Sequence, residues 1–272
     1  MVKLQVLICT IGVIGIERVM KSHYPKMDNV EYLVSWQQPD EDIPIPEELA
    51  HRSEVKVFIT KSRGICKNRN HAIACASAPI CLMTDDDVSY KKAELQSLII
   101  AFDENPDCDL IAVKYHSELS NKKYPNYSFD LRNPAKGYFV SCIEIAFRLE
   151  AIKNKVFFNE NISIGTPVLR CGEEDVFIYD AKCQGLNMRF IPIIVGAHNH
   201  STTGGRDSLE PYFWKTKGAV FSYIHKYTWL PRIVVNAWRM ARKSDVSIFY
   251  LIKNAIEGVR YARKNNVFSP KR

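Results

Sequence analysis

Short, almost wholly apolar runs alternate along this chain with polar turns and amphipathic stretches. Residues 4–10, 30–35, 55–60, 80–83 and 110–115 are runs of this kind. They predict strands buried on both faces, as in a parallel sheet, because no polar–apolar alternation survives in them. The first run ends towards Gly12 and Gly15, which predicts a turn presenting backbone amides to a ligand. A helix is expected over 66–78, stopped by Pro79, and another over 91–105, where Leu95, Leu98, Ile99 and Phe102 recur at helical spacing. A long surface loop is expected over 121–136. It is followed by a helix over 148–154, a turn over 159–165, a helix from Gly172 to Gly185 and a late strand over 189–195. Strands alternating with helices predict an α/β fold, a mostly parallel sheet flanked by helices.

A chain of 272 residues with 46% hydrophobic and 25% charged residues buries a full core. No window approaches the roughly 18 uninterrupted apolar residues of a spanning helix. The apolar start, broken by Gly12 and Gly15 and followed by Glu17 and Arg18, reads as a first strand and not a leader. The eight cysteines never form Cys-x-x-Cys, which favours reduced, buried thiols and a cytoplasmic setting over a thiolate metal site or a disulfide framework. The net charge of +7 is unevenly held: residues 1–205 carry 23 Lys and Arg against 26 Asp and Glu, and residues 206–272 carry 14 against 4. This predicts an α/β domain over 1–205 and a basic helical extension over 206–272. The extension mixes Trp214, Phe221, Tyr227, Trp229 and Trp238 with cations such as Arg239, Arg242 and Lys243. That mixture suits peripheral contact with an anionic membrane surface, and equally a solvated basic face on packed helices. The acidic balance of residues 1–205 offers no continuous basic groove, so no nucleic-acid partner is expected.

The sharpest chemistry is Thr84-Asp85-Asp86-Asp87 at the carboxyl end of the fourth run, where open α/β sheets bind ligands. Three adjacent carboxylates repel one another unless a cation sits among them. All-oxygen ligation favours Mg²⁺ or Mn²⁺, which bind through one or two carboxylates plus substrate phosphates. The same run also suits an exposed turn or helix cap. Arg63, Lys67 and Arg69 gather around Gly64 and a helix start, a combination suited to phosphate. Gly172-Glu173-Glu174-Asp175 supplies carboxylates for general-base work or for a helix N-terminus.

Taken in order, Thr10, Gly64 to Asn70, Asp85 to Asp87, Asn159 to Gly165 and Gly172 to Asp175 resemble the motifs of family 2 glycosyltransferases with the GT-A fold, over roughly residues 3–205. The resemblance implies metal-dependent, inverting transfer of a sugar from a nucleotide sugar, a UDP-sugar by family habit, to a saccharide or lipid-linked saccharide acceptor in surface polysaccharide or glycolipid synthesis. Thr10, Arg63, Lys67, Arg69, Asn70, Asp85 and Asp86 would line the nucleotide. Asp85 and Asp87, with His198 or its neighbour His200, would hold Mn²⁺ or Mg²⁺. Asp175, with Glu174 in reserve, would be the base, and Gly165 and Glu173 would face the acceptor. Where many relatives place an acidic residue after the second strand, this chain has Ser35-Trp36-Gln37-Gln38. Metal-dependent nucleotidyl transfer, or nucleic-acid binding without catalysis, are the competing readings.

Overall fold

The computed structural model describes residues 1–119, 122–198 and 208–268. They fall into two compact units. The first comprises Met1–Arg63, Lys67–Phe157 and Asp180–His200, and the second Gly64–Cys66, Phe158–Tyr179 and Ser201–Arg272.

The first unit is built on one sheet, nine-stranded among the described residues. Its parallel half consists of β1 (Leu4–Ile11), β2 (Val30–Gln37), β3 (Val55–Thr60) and β4 (Ile80–Asp85), in the order β3-β2-β1-β4. β1 and β2 are buried along almost their whole length, which is why their sequences are unbroken apolar runs. The register sets Thr10 beside Trp36 and Cys9 beside Asp85, so β1 and β2 end level and β4 ends two residues earlier, at Asp85. Every predicted strand is present within a residue or three of its expected bounds.

Past β4 the sheet departs from a simple parallel order. Antiparallel β8 (Ile145–Arg148) is inserted between β4 and β6 (Leu110–His116). β9 (Met188–His198) pairs parallel with β6 and antiparallel with the two-residue strands β5 (Val88–Ser89) and β7 (Phe129–Asp130). Helices α1 (Gly12–Lys21), α2 (Glu47–Ala50), the main part of α3 (Ile65–Cys75), α4 (Lys92–Glu104) and α5 (Leu149–Ile152) belong to this unit. Leu95, Leu98, Ile99 and Phe102, all but inaccessible, fix α4 in the core with Val6, Val34, Ile111 and Val195.

The expected loop over 121–136 is more tightly held than a surface loop. Phe129 stacks on Phe190 at 4.9 Å, and Tyr138 reaches the same ring at 4.9 Å. Lys122, nearly buried, meets the buried Glu144 at 2.5 and 2.7 Å, and the Tyr124 hydroxyl donates to the same carboxylate at 2.6 Å. Desolvation pushes the Glu144 carboxyl up, against the pull of Lys122.

The second unit contains the start of α6 (Glu173–Cys183) and the helices α7 (Pro211–Ile224), α8 (Trp229–Ala241) and α9 (Ile248–Lys264). α7 and α9 approach unusually closely. A Cβ on Gly218 would collide with the Ala255 carbonyl, and one on Gly258 with the Lys215 carbonyl. Trp214, Ile233, Ala237, Leu251 and Ala255 form one apolar cluster here, and Ile162, Leu169, Val176, Val220 and Ala262 another. No described helix is long and apolar enough to cross a membrane, and among the described residues no disulfide joins any cysteines.

Candidate active site

The expected turn at Gly12 is instead the start of a helix. Gly12 adopts φ +65°, after which the chain turns directly into α1. Gly15 is needed there, because a Cβ would fall on the Thr10 hydroxyl and lie 3.0 Å from Asp86 Oδ2. The close passage brings Arg18 to the end of β4, a residue that sequence reasoning missed. Its Nε stands 2.9 Å from Asp86 Oδ1 and its Nη2 donates to Oδ2 at 3.1 Å. The Thr10 hydroxyl donates to the same Oδ2 at 2.5 Å. Asp86 is buried. Desolvation raises its carboxyl above the usual range, opposed by Thr10 and Arg18 and reinforced by Asp87.

The flanking carboxylates point to different partners. Asp85 lies 3.8 Å from the buried Arg69, and Asp87 Oδ2 lies 3.4 Å from His198 Nε2. The second contact follows from the sheet: antiparallel β5 sets Val88 opposite His198, so the preceding Asp87 stands beside that imidazole. Asp85, Asp86 and Asp87 thus each have a different cationic or cationisable neighbour: Arg69, Arg18 and His198. Among the described residues no group of three His, Cys, Asp or Glu is gathered closely enough to hold a metal by itself. Within the expected set Asp85, Asp87 and His198, the Asp87 and His198 side chains stand 3.4 Å apart. A carboxylate and an imidazole this near fit one side of a Mn²⁺ or Mg²⁺ ion whose other ligands are water and substrate phosphate. His200 lies outside the described residues.

Helix α3 is moored to the strand ends by Asn68. Its Nδ2 donates to the Thr10 carbonyl at 2.9 Å, and its Oδ1 accepts from Ser35 at 2.5 Å. Ser35 is also 2.7 Å from His71 Nδ1. This anchoring carries Arg69 to the end of β4, beside Asp85, while Lys67 and Arg63 stay exposed. Arg63 pairs with Asp40. The polar Gln37-Gln38 stretch is structural: Gln37 donates to Ser62 at 3.0 Å, and Gln38 brackets Ile43 through both its amide N and its carbonyl, at 2.9 and 2.8 Å.

In the second unit, Gly172 takes φ +85° and delivers Glu173, Glu174 and Asp175 to the first turn of α6. The helix amides and dipole favour these carboxylates in ionised form. Glu173 is buried, Glu174 half-buried and Asp175 exposed. Lys217, on α7, was not anticipated. Burial depresses its ammonium, opposed by the charge of Asp175 and by Cys171, and it lies 5.2 Å from the Trp214 ring. The turn expected at 159–165 is closed by its own hydrogen bonds, Ser163 N to the Leu169 carbonyl at 2.8 Å and Thr166 Oγ1 to the same carbonyl at 2.7 Å. It presents Gly165 exposed with φ +99°.

The family model "Glycosyl transferase family 2" matches residues 28–176, more than half of the chain, and the chain belongs to that family. No curated protein matches. Among solved structures, S. aureus TarS 1-349 superposes with a TM-score of 0.60 at 14% identity, covering 97% of this chain and 92% of that one. TarS 1-349 in complex with UDP-GlcNAc gives 0.59 at 15% identity, with the same coverages. Against the longer S. aureus TarS structure the TM-score is 0.56 at 16% identity, and the match covers 80% of this chain but only 39% of that chain. The fold is therefore the GT-A fold, and the family makes the chain a glycosyltransferase.

Proposed function

We propose that the chain transfers a sugar from a nucleotide sugar, a UDP-sugar, to a hydroxyl of a saccharide or lipid-linked saccharide acceptor, with inversion, in the synthesis of a surface polysaccharide or glycolipid. The observation that carries this reading is the carboxyl edge of β1, β2 and β4. There Thr10, Arg69 and Asp85–Asp87 meet, with Asp87 3.4 Å from His198. A UDP-sugar is favoured because the similar TarS 1-349 is described in complex with UDP and with UDP-GlcNAc.

Thr10, Arg69 and Asn70 would line the nucleotide, with the exposed Arg63 and Lys67 on its phosphates. In this reading Asp86 acts through Thr10 and Arg18, fixing their side chains, since its own oxygens are occupied by them. Asp87 and His198 would hold Mn²⁺ or Mg²⁺, which when bound offsets charge on the departing diphosphate. Asp175, exposed at a helix start, takes the acceptor's proton as the acceptor oxygen bonds to the anomeric carbon and the bond to the diphosphate breaks. Glu174 is the reserve base, and Glu173 and Gly165 lie on the acceptor side.

The test is nucleoside diphosphate release from UDP-, GDP- and dTDP-sugars with Mn²⁺. UDP release from a UDP-sugar is expected, falling by about 10²–10⁴-fold in Asp175→Asn, the usual contribution of a general base. Undiminished turnover in that variant would remove Asp175 from the role. Pyrophosphate release from a nucleoside triphosphate would replace the whole reading with nucleotidyl transfer.

A further inference from the structure

Helix α8 carries three distinct stripes. At 3.6 residues per turn, Ile233 and Ala237 form a buried stripe that joins Trp214, Leu251 and Ala255 in the core of the second unit. A second apolar stripe, one turn apart at Leu230, Val234 and Trp238, is solvent-exposed at 43%, 40% and 50%, and Val235 flanks it at 45%. Tyr227, just before the helix, extends the stripe and is 87% exposed. Arg232 and Arg239, seven residues apart, lie on a third side of the helix beyond Val235, and Arg242 and Lys243 follow its last turn. Arg242 lies over the Trp238 ring at 4.8 Å.

Isolated exposed apolar residues are ordinary on protein surfaces, but a continuous stripe on a helix whose other apolar face is already buried is not. We propose that this outer stripe of α8 seats the protein in the headgroup–acyl boundary of an anionic lipid bilayer. Leu230, Val234 and Trp238 enter the apolar edge, and Arg242, which lies over the Trp238 ring, sits against lipid phosphates. Charge complementarity selects this occupant. Residues 206–272 hold 14 Lys and Arg against 4 Asp and Glu, so a second copy docking here would bring two strongly positive surfaces together. A nucleic acid would leave the apolar stripe uncovered. An aromatic residue and cations at the margin of an apolar face are the composition that lies in a membrane interface without crossing it. The inference does not depend on the donor-site reading, since its readout is binding and not turnover.

The test is co-sedimentation of the full chain with vesicles of phosphatidylcholine alone and with about one-third phosphatidylglycerol, alongside light scattering without lipid. Binding to the anionic vesicles only, weakened by salt, is expected. Leu230→Ser/Val234→Ser/Trp238→Ser should abolish it. Arg242→Glu should weaken it by at least about fivefold, the equivalent of ~1 kcal/mol for a lost cation near an anionic surface. All these positions are exposed or flank the stripe, and unchanged circular dichroism and melting would show that the variants fold. Equal absence from both vesicle types, or retained binding in the folded triple variant, would overturn the proposal. So would a dimer in solution that the triple variant disperses.

Discussion

Gly15→Ala places one methyl group at the most crowded point of the donor-side edge. Two effects oppose each other. Alanine is the better helix former inside α1, by roughly 0.5–1 kcal/mol. Against this, the new carbon coincides with the Thr10 hydroxyl and comes within 3.0 Å of Asp86 Oδ2. Either the hydroxyl rotates away, costing the 2.5 Å hydrogen bond to a buried carboxylate, or α1 shifts and loosens the Arg18 contact. Loss of a hydrogen bond to a charged group is worth about 1.5–3 kcal/mol, and overpacking adds about 1–3 kcal/mol. The losses exceed the gain, leaving a net destabilisation of about 2–5 kcal/mol. Because the chain has two compact units, a global melting curve does not isolate this effect. Hydrogen exchange over β1 and α1 reads it locally. Removing the obstructed hydroxyl should make the methyl tolerable, so Thr10→Ala/Gly15→Ala should protect this segment better than Gly15→Ala alone, a coupling that independent sites do not show. Protection in Gly15→Ala within about 0.5 kcal/mol of wild type, or simple additivity in the double variant, would refute the close-approach argument.

Three further outcomes follow from the same structure. Gly258→Ala should destabilise the α7–α9 pair despite its better helix propensity, since its Cβ meets the Lys215 backbone and not a side-chain end that can move; urea unfolding should show an earlier midpoint. Lys122→Met strips the cation from the buried Glu144 and should cost about 3–5 kcal/mol, read as increased exchange over residues 122–141, with Lys122→Met/Glu144→Gln recovering part of the loss. Burial depresses His71 below its ordinary 6.5, so folding favours the neutral ring. That stabilisation is present above the unfolded value and is lost as pH falls through 6.5 towards the folded value. Hydrogen-exchange protection over β2 and α3 should fall between about pH 7.5 and about pH 5.5, and should fall less in His71→Gln; an identical decline in both would exclude His71 as a contributor.

The strands of the parallel half were legible because burial on both faces removes the polar positions that blur a strand pattern. β8 was harder to see: an insertion of four residues carries no period, and its antiparallel place between β4 and β6 depends on pairing partners far away in sequence. α1 was hidden by its glycines. Gly12 and Gly15 lower helix propensity, yet Gly15 serves the helix by letting it pass against Thr10 and Asp86. The acidic run at β4 was visible as a motif, but the neighbours of its carboxylates were not. Asp85 ends β4 while Asp86 and Asp87 lie in the turn before β5, and their partners Arg69, Arg18 and His198 come from three separate elements. Arg18 was in plain view beside Glu17, where only the amphipathic spacing of Ile16 and Val19, both buried in α1, could have revealed the helix that carries it.

The central claim is that the edge formed by Thr10, Arg69, Asp87 and His198 binds a nucleotide diphosphate together with a divalent cation. Calorimetric titration of UDP into the full chain, with and without Mn²⁺, tests it directly. The account predicts saturable heat that requires the cation and disappears in Asp87→Ala. Binding that is indifferent to Mn²⁺ and to Asp87, or no heat under either condition, would contradict it.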